Sequence, residues 1–168
     1  DVSGNGHVIC IDNDGDGRYD ILDITTYDIY MVKNVNTVYD RIVFENSDDI
    51  IELKNYGEVR IVDKEGKAVE LANIARYSVA EVSISQGREF ITITVVTDKI
   101  SVKVASVLQD PHDNSVVIIA DDGTEYKTVS GFNEDLRPGM TYTFALDSKG
   151  NVCARLSEEE GVYKIGCV

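Results

Sequence analysis

Apolar residues recur along this chain in short, roughly alternating runs separated by polar turns. A period of two puts one set of side chains on one face of an extended strand. The runs predict strands at His7–Asp12, Ile21–Val32, Arg41–Phe44, Ile50–Leu53, Glu58–Val62, Tyr77–Ser85 and Glu89–Thr97. They continue at Ile100–Leu108, Ser115–Ala120, Glu125–Val129, Thr141–Leu146 and Val152–Leu156, with Val162–Val168 as a last candidate. Strands at such regular spacing are the signature of a sandwich or of small barrels. The one helical candidate is the short stretch Leu71–Tyr77.

The turns between the runs are legible. Asp63-Lys-Glu-Gly66 and Asp147-Ser-Lys-Gly150 each follow an apolar residue and precede a strand. Asp at the first position can cap the turn through its carboxylate, and Gly at the fourth takes the left-handed conformation. Ala120-Asp-Asp-Gly123 has similar chemistry, and Ser85-Gln-Gly-Arg88 reads as a further hairpin turn. The acids of these turns have a structural job and are poor candidates for metal ligands.

Composition agrees with the pattern. Val and Ile together number 39 and Leu and Ala together 15, so β-branched side chains dominate. Such side chains fit a pleated surface and lose rotamer freedom in a helix. The expected fold class is all-β, with two small antiparallel β units, barrel- or sandwich-like. A weak internal rhyme supports two units: a polar turn, a short strand, an acid before Leu, then a Tyr-bearing strand (Tyr77-Ser-Val-Ala-Glu-Val; Tyr142-Thr-Phe-Ala-Leu). The boundary is expected near Asp98-Lys99, giving units 1–98 and 99–168; one intertwined domain over 1–168 is the alternative.

Charge narrows the partners. The chain has 16 Lys+Arg against 30 Asp+Glu, a net charge of −14. A polyanion would be repelled, which argues against nucleic acid. No apolar run is long enough to span a bilayer. Cations are what an acidic chain attracts, and the acids cluster in Asp12-Asn-Asp-Gly-Asp-Gly-Arg-Tyr-Asp20, followed by Ile-Leu-Asp23. Calcium takes six to eight oxygens, and carboxylates on alternate residues let a loop wrap the ion. Gly17 allows the bend that turns the Arg18 carbonyl inward. The expected calcium ligands are Asp12, Asp14, Asp16, the Arg18 carbonyl and Asp20, with Asp23 as a sixth candidate. Position twelve of a helix-loop-helix site is a bidentate Glu; here it is the shorter Asp23, inside an apparent strand. The loop is therefore expected to join two strands as an N-terminal calcium hairpin.

The Asp-x-Asp-x-Asp-Gly-x-x-Asp pattern of Asp12–Asp20 resembles the calcium hairpins of integrin alpha-chain propellers. Through Asp23 it is similar to the dockerin loop, though a dockerin needs a duplicated loop and following helices, and this chain has neither. The stretch Ile-Asp-Asn-Asp-Gly-Asp-Gly-Arg-Tyr-Asp-Ile, with its Thr/Tyr-rich strand, resembles repeated β modules in large secreted and cell-surface proteins of Gram-positive anaerobes, often carrying S-layer homology domains. The pattern from Ile100-Ser-Val-Lys-Val through Gly139-Met-Thr-Tyr-Thr-Phe-Ala-Leu-Asp147 looks like the small barrel that follows the hairpin in such modules. The resemblance implies an extracellular, surface-attached location, neighbouring domains of a larger protein as partners, and a structural or spacer role.

Other chemistry is sparse. The two histidines, His7 and His112, sit in Gly/Asn-rich and turn-like surroundings, and no nucleophile or phosphate-cradling motif appears. No enzyme is expected. The chain begins at Asp1 without a leader and is expected to be a cut or processed piece of something longer. Of three cysteines, Cys10, Cys153 and Cys167, at least one is left unpaired; a Cys10–Cys167 bridge would need the terminal strands to pair. Tyr19, Tyr27, Tyr30 and Tyr39 crowd the first quarter, and a face built on them would suit a glycan or protein ligand. The reading is a non-catalytic calcium-binding structural module of a secreted or cell-surface protein, with an adhesion or glycan-binding module as the alternative.

Overall fold

The computed structural model describes residues 6–45, 48–109 and 116–156, with the side chains of His7, Leu22 and Asp23 outside that description. The chain divides into two compact units, Asp1–Val96 and Thr97–Val168. Among the described residues the fold is all-β, and no helix is long and apolar enough to cross a membrane. The described residues form three sheets of two, six and five strands, and none of these closes into a barrel. The candidate strand Val162–Val168, Cys167 and His112 lie outside the described residues.

The first unit starts with a hairpin of β1 (Gly6–Ile11) and β2 (Ile21–Thr26), paired antiparallel from Ile11↔Ile21 to Gly6↔Thr26. A six-stranded sheet follows from β3 (Asp28–Asn36), β4 (Arg41–Phe44), β5 (Ile50–Glu52), β6 (Glu58–Asp63), β7 (Val79–Ile84) and β8 (Phe90–Val96). Its order is β5-β4-β3-β7-β8-β6. The expected single strand Ile21–Val32 is thus broken at Tyr27. Before the break the chain pairs with β1; after it, Asp28–Met31 pair with β7 and Val32–Asn36 with β4. Tyr27 falls between the β1 pairing and the β7 pairing and belongs to neither ladder.

The expectation of purely antiparallel units meets one exception. β6 and β8 pair in parallel from Glu58↔Phe90 to Asp63↔Val95. Parallel neighbours need a crossover rather than a hairpin, and here β7 and its flanking turns supply it. The helical candidate Leu71–Tyr77 is reduced to a 3-10 turn at Leu71–Asn73. Ala75–Ser78 then forms a tight turn closed by Ser78 N–H to the Ala75 carbonyl at 3.3 Å, with Tyr77 at φ +64°. A second 3-10 turn, Leu53–Asn55, has no counterpart among the expected elements.

Alternation fills the core of this unit. Val32, Ile42 and Phe44 from β3 and β4 meet Ala80, Val82, Ile91 and Ile93 from β7 and β8, all buried. Tyr30 stacks on Phe44 with ring centroids 4.4 Å apart.

The second unit is a five-stranded sheet in the order β11-β10-β9-β12-β13. Its strands are β9 (Lys99–Gln109), β10 (Val116–Ala120), β11 (Glu125–Lys127), β12 (Thr141–Leu146) and β13 (Val152–Leu156). The long β9 again serves two partners, Lys99–Lys103 facing β12 and Val104–Gln109 facing β10. A lone parallel bridge, Thr128↔Val152, links the chain after β11 to β13 without forming a ladder. Phe144, Val104, Ile118 and Val152 form its core.

Candidate metal centre

The β1–β2 turn carries the acidic loop. Ladder pairing ends at Ile11↔Ile21, and Asp20 N–H to the Ile11 carbonyl at 2.8 Å closes the loop at its base. Inside it the carboxylates accept backbone N–H groups. Asp12 takes Gly15 on Oδ1 at 2.7 Å and Gly17 on Oδ2 at 2.9 Å. Asp20 takes Asn13 on Oδ2 at 2.9 Å, Asp14 takes Asp16 at 3.1 Å, and Asp16 takes Arg18 at 2.8 Å. The short-range bonds of Asp14 and Asp16 are Asx turns, the local closure that Asp favours. Gly15 at φ +75° and Gly17 at φ +84° supply the left-handed residues that let the chain fold back on Asp12.

The outcome is a convergence. Asp12, Asp14 and Asp20 each present a carboxylate oxygen, all within 4.8 Å of one another. Asp12 is half-buried and the other two are exposed. The N–H groups of Gly17 and then Gly15 hold the Asp12 carboxyl below its ordinary pKa, against the opposing effect of burial. A carboxylate stabilised by donors on both oxygens is kept charged. Three carboxylate oxygens converging are hard ligands of the kind that oxygen-seeking divalent cations take.

The other candidate ligands are placed differently. Asp16 is outside the trio, with its Oδ1 on the Arg18 N–H. Asp23 lies on β2 opposite Ile9, and its side chain is outside the described part. No protein-family model matches this chain, and no curated protein sequence matches it.

Asp63 and Asp147 do the turn-closing work expected of them. Asp63 Oδ1 accepts the N–H groups of Glu65 and Lys67 at 3.0 and 2.9 Å, and Gly66 donates to the Asp63 carbonyl at 3.0 Å. Asp147 repeats the arrangement with Lys149, Asn151 and Gly150. Of the first-quarter tyrosines, Tyr30 packs on Phe44, Tyr39 lies under the Arg41 guanidinium at 5.0 Å, and Tyr19 stands exposed on the acidic loop. Cys10 is exposed, and the half-buried Cys153 donates its Sγ–H to the Asn151 carbonyl at 3.7 Å.

One feature of the surface has no counterpart in the expected sites. Beside the end of β2 a cleft of about 570 Å³ opens against the β7–β8 hairpin. The signal for it in sequence is faint: two hydroxyl-rich stretches, Thr25-Thr26 and Ser83–Gln86, without charge.

Proposed function

We propose that this protein is a calcium-stabilised structural module of a secreted or cell-surface protein, acting as a spacer between neighbouring domains and not as an enzyme. The observation that carries the reading is the convergence of Asp12, Asp14 and Asp20 at the tip of a hairpin. The ion would be held by these three carboxylates, with Asp16, the Arg18 carbonyl, Asp23 and water as further oxygen donors. Magnesium is a poorer match, because it keeps its water and takes fewer carboxylates.

A two-stranded hairpin is marginal alone in water, and this one ends in clustered negative charge. An ion that binds the folded loop and not the unfolded chain stabilises the fold by mass action, by about 2.7 kcal/mol at 100-fold excess over its dissociation constant. Calcium sites of extracellular modules have affinities near 10⁻⁴–10⁻³ M, matched to the calcium outside cells. The test is a thermal melt with calcium and with EDTA. Calcium should raise the melting temperature, and Asp14→Ala should remove the response. A wild-type curve that ignores chelation would overturn the calcium reading.

A further inference from the structure

The cleft beside β2 comes from the break at Tyr27. β3 pairs with β7 only as far as Asp28↔Val82, while upstream the chain leaves to pair with β1. Ser83 and Ile84 therefore continue β7 beyond its β3 partner, still paired to Thr92 and Ile91 of β8 on the other side. The end of β2 stands off from this extension, and the space between them is the cleft. Its volume falls within the roughly 300–1,000 Å³ of small-molecule sites.

Its lining is unusual for this chain. None of its nine residues is charged, although 27% of the sequence is Asp, Glu, Lys or Arg. Ser83 and Thr92 are a cross-strand pair, and alternation puts Ser85 and Phe90 on the same face. Phe90 is 51% exposed. Its backbone N–H donates to Ser85 Oγ at 3.0 Å, which fixes the end of β8 against the turn. Thr25 and Thr26 of β2 line the opposite wall.

We infer that this cleft is a binding site for a neutral oligosaccharide. Ser, Thr and Gln groups both donate and accept hydrogen bonds, which matches the dual character of sugar hydroxyls. The exposed Phe90 ring offers an apolar face with negative quadrupole, on which the C–H face of a pyranose can rest. The net charge of −14 repels anionic ligands, and no charged lining residue pairs with an ionised one. On the β7 side only Ser83 and Ile84 lie beyond the β3 pairing, a short edge for a peptide added as a strand. This inference goes beyond the spacer role and does not depend on which ion the hairpin holds.

The test is calorimetric titration of the whole chain, in excess calcium, with maltotriose, cellotriose and triacetylchitotriose as probes. Trigalacturonate and a Thr/Val-rich decapeptide serve as the anionic and strand-forming comparisons. At least one neutral trisaccharide should bind with a dissociation constant below about 1 mM. Phe90→Ala should weaken it about tenfold or more, while Phe90→Tyr should keep it. Thr92→Val removes a hydroxyl at constant shape and should also weaken binding, which covers the case of a Phe90→Ala chain that does not fold. No binding by any neutral probe, binding unchanged in Phe90→Ala and Thr92→Val, or binding of the anionic or peptide probe alone would each overturn the inference. A melt with EDTA on the same sample reports the calcium reading separately.

Discussion

Gly17 donates its backbone N–H to Asp12 Oδ2 at 2.9 Å, so the chain folds back across five residues onto one carboxylate. Gly15 reaches the other oxygen of the same group at 2.7 Å. Asp12 therefore organises the loop as well as presenting an oxygen to the candidate metal site. Asp14 receives a single N–H, from Asp16. In EDTA, Asp12→Ala should melt at lower temperature than Asp14→Ala, while both lose the response to calcium. Equal melting of the two variants in EDTA would show that Asp12 has no organising role.

The glycines of this hairpin separate backbone strain from steric collision. Gly17 sits at φ +84°, and a Cβ there would meet nothing within 4 Å. Gly17→Ala should cost about 1 kcal/mol in urea unfolding, from the left-handed backbone alone. Gly6 is the opposite case, because a Cβ would collide with the Thr25 carbonyl oxygen across the ladder. Gly6→Ala should therefore loosen the β1–β2 pairing, read as faster amide exchange on β2.

The two matching turns differ in burial. Asp147 is 2% exposed and also accepts Asn151 Nδ2 on its second oxygen at 2.8 Å. Asp147→Ala leaves the N–H groups of Lys149 and Asn151 without their acceptor, with a cost of about 1–3 kcal/mol. Asp63 is half-buried, so water can replace its carboxylate. Asp63→Ala should cost less in the same denaturant titration, and a larger loss there than at position 147 would contradict this account.

Glu52 gives a pH dependence with a definite sign. A hydrogen bond from Lys54, the Lys54 charge and the Arg41 guanidinium hold its carboxyl below the ordinary 4.5, against desolvation. The Arg41 contact is 2.9 Å and the Lys54 contact 3.2 Å. A lowered carboxyl pKa means stability that is full above the unfolded value and lost as pH falls through the folded one. Glu52→Gln should therefore be less stable than wild type at neutral pH, and the gap should close below pH 4.5. A gap that persists unchanged into acid would assign the effect to packing and not to charge. The pair is partly exposed, so the difference is small and shrinks with salt.

Much of this molecule is legible one residue at a time. Alternating Ile and Thr mark a strand such as Phe90–Val96 because a strand's faces repeat every two residues. The turns at Asp63 and Asp147 can be read because their bonds close within four residues. The acidic hairpin tip is legible for the same reason: its carboxylates, glycines and N–H donors all lie between Asp12 and Asp20. Leu71–Tyr77 misleads as a helix, because its apolar residues serve a 3-10 turn and a left-handed Tyr77.

By itself, then, the order of residues determined the strand content, the turn chemistry and the acidic loop, all set by steric and hydrogen-bonding rules that act over a few positions. Tertiary structure alone decided the break at Tyr27, the parallel pairing of β6 with β8, and the uncharged cleft that Phe90 and Thr92 share with Thr25 and Thr26. The physical reason is that alternation tells a strand which face to bury but not which neighbour to pair with. Partner choice depends on how distant segments meet, and the Asp28↔Val82 rung, where one ladder stops and the cleft begins, joins residues more than fifty positions apart.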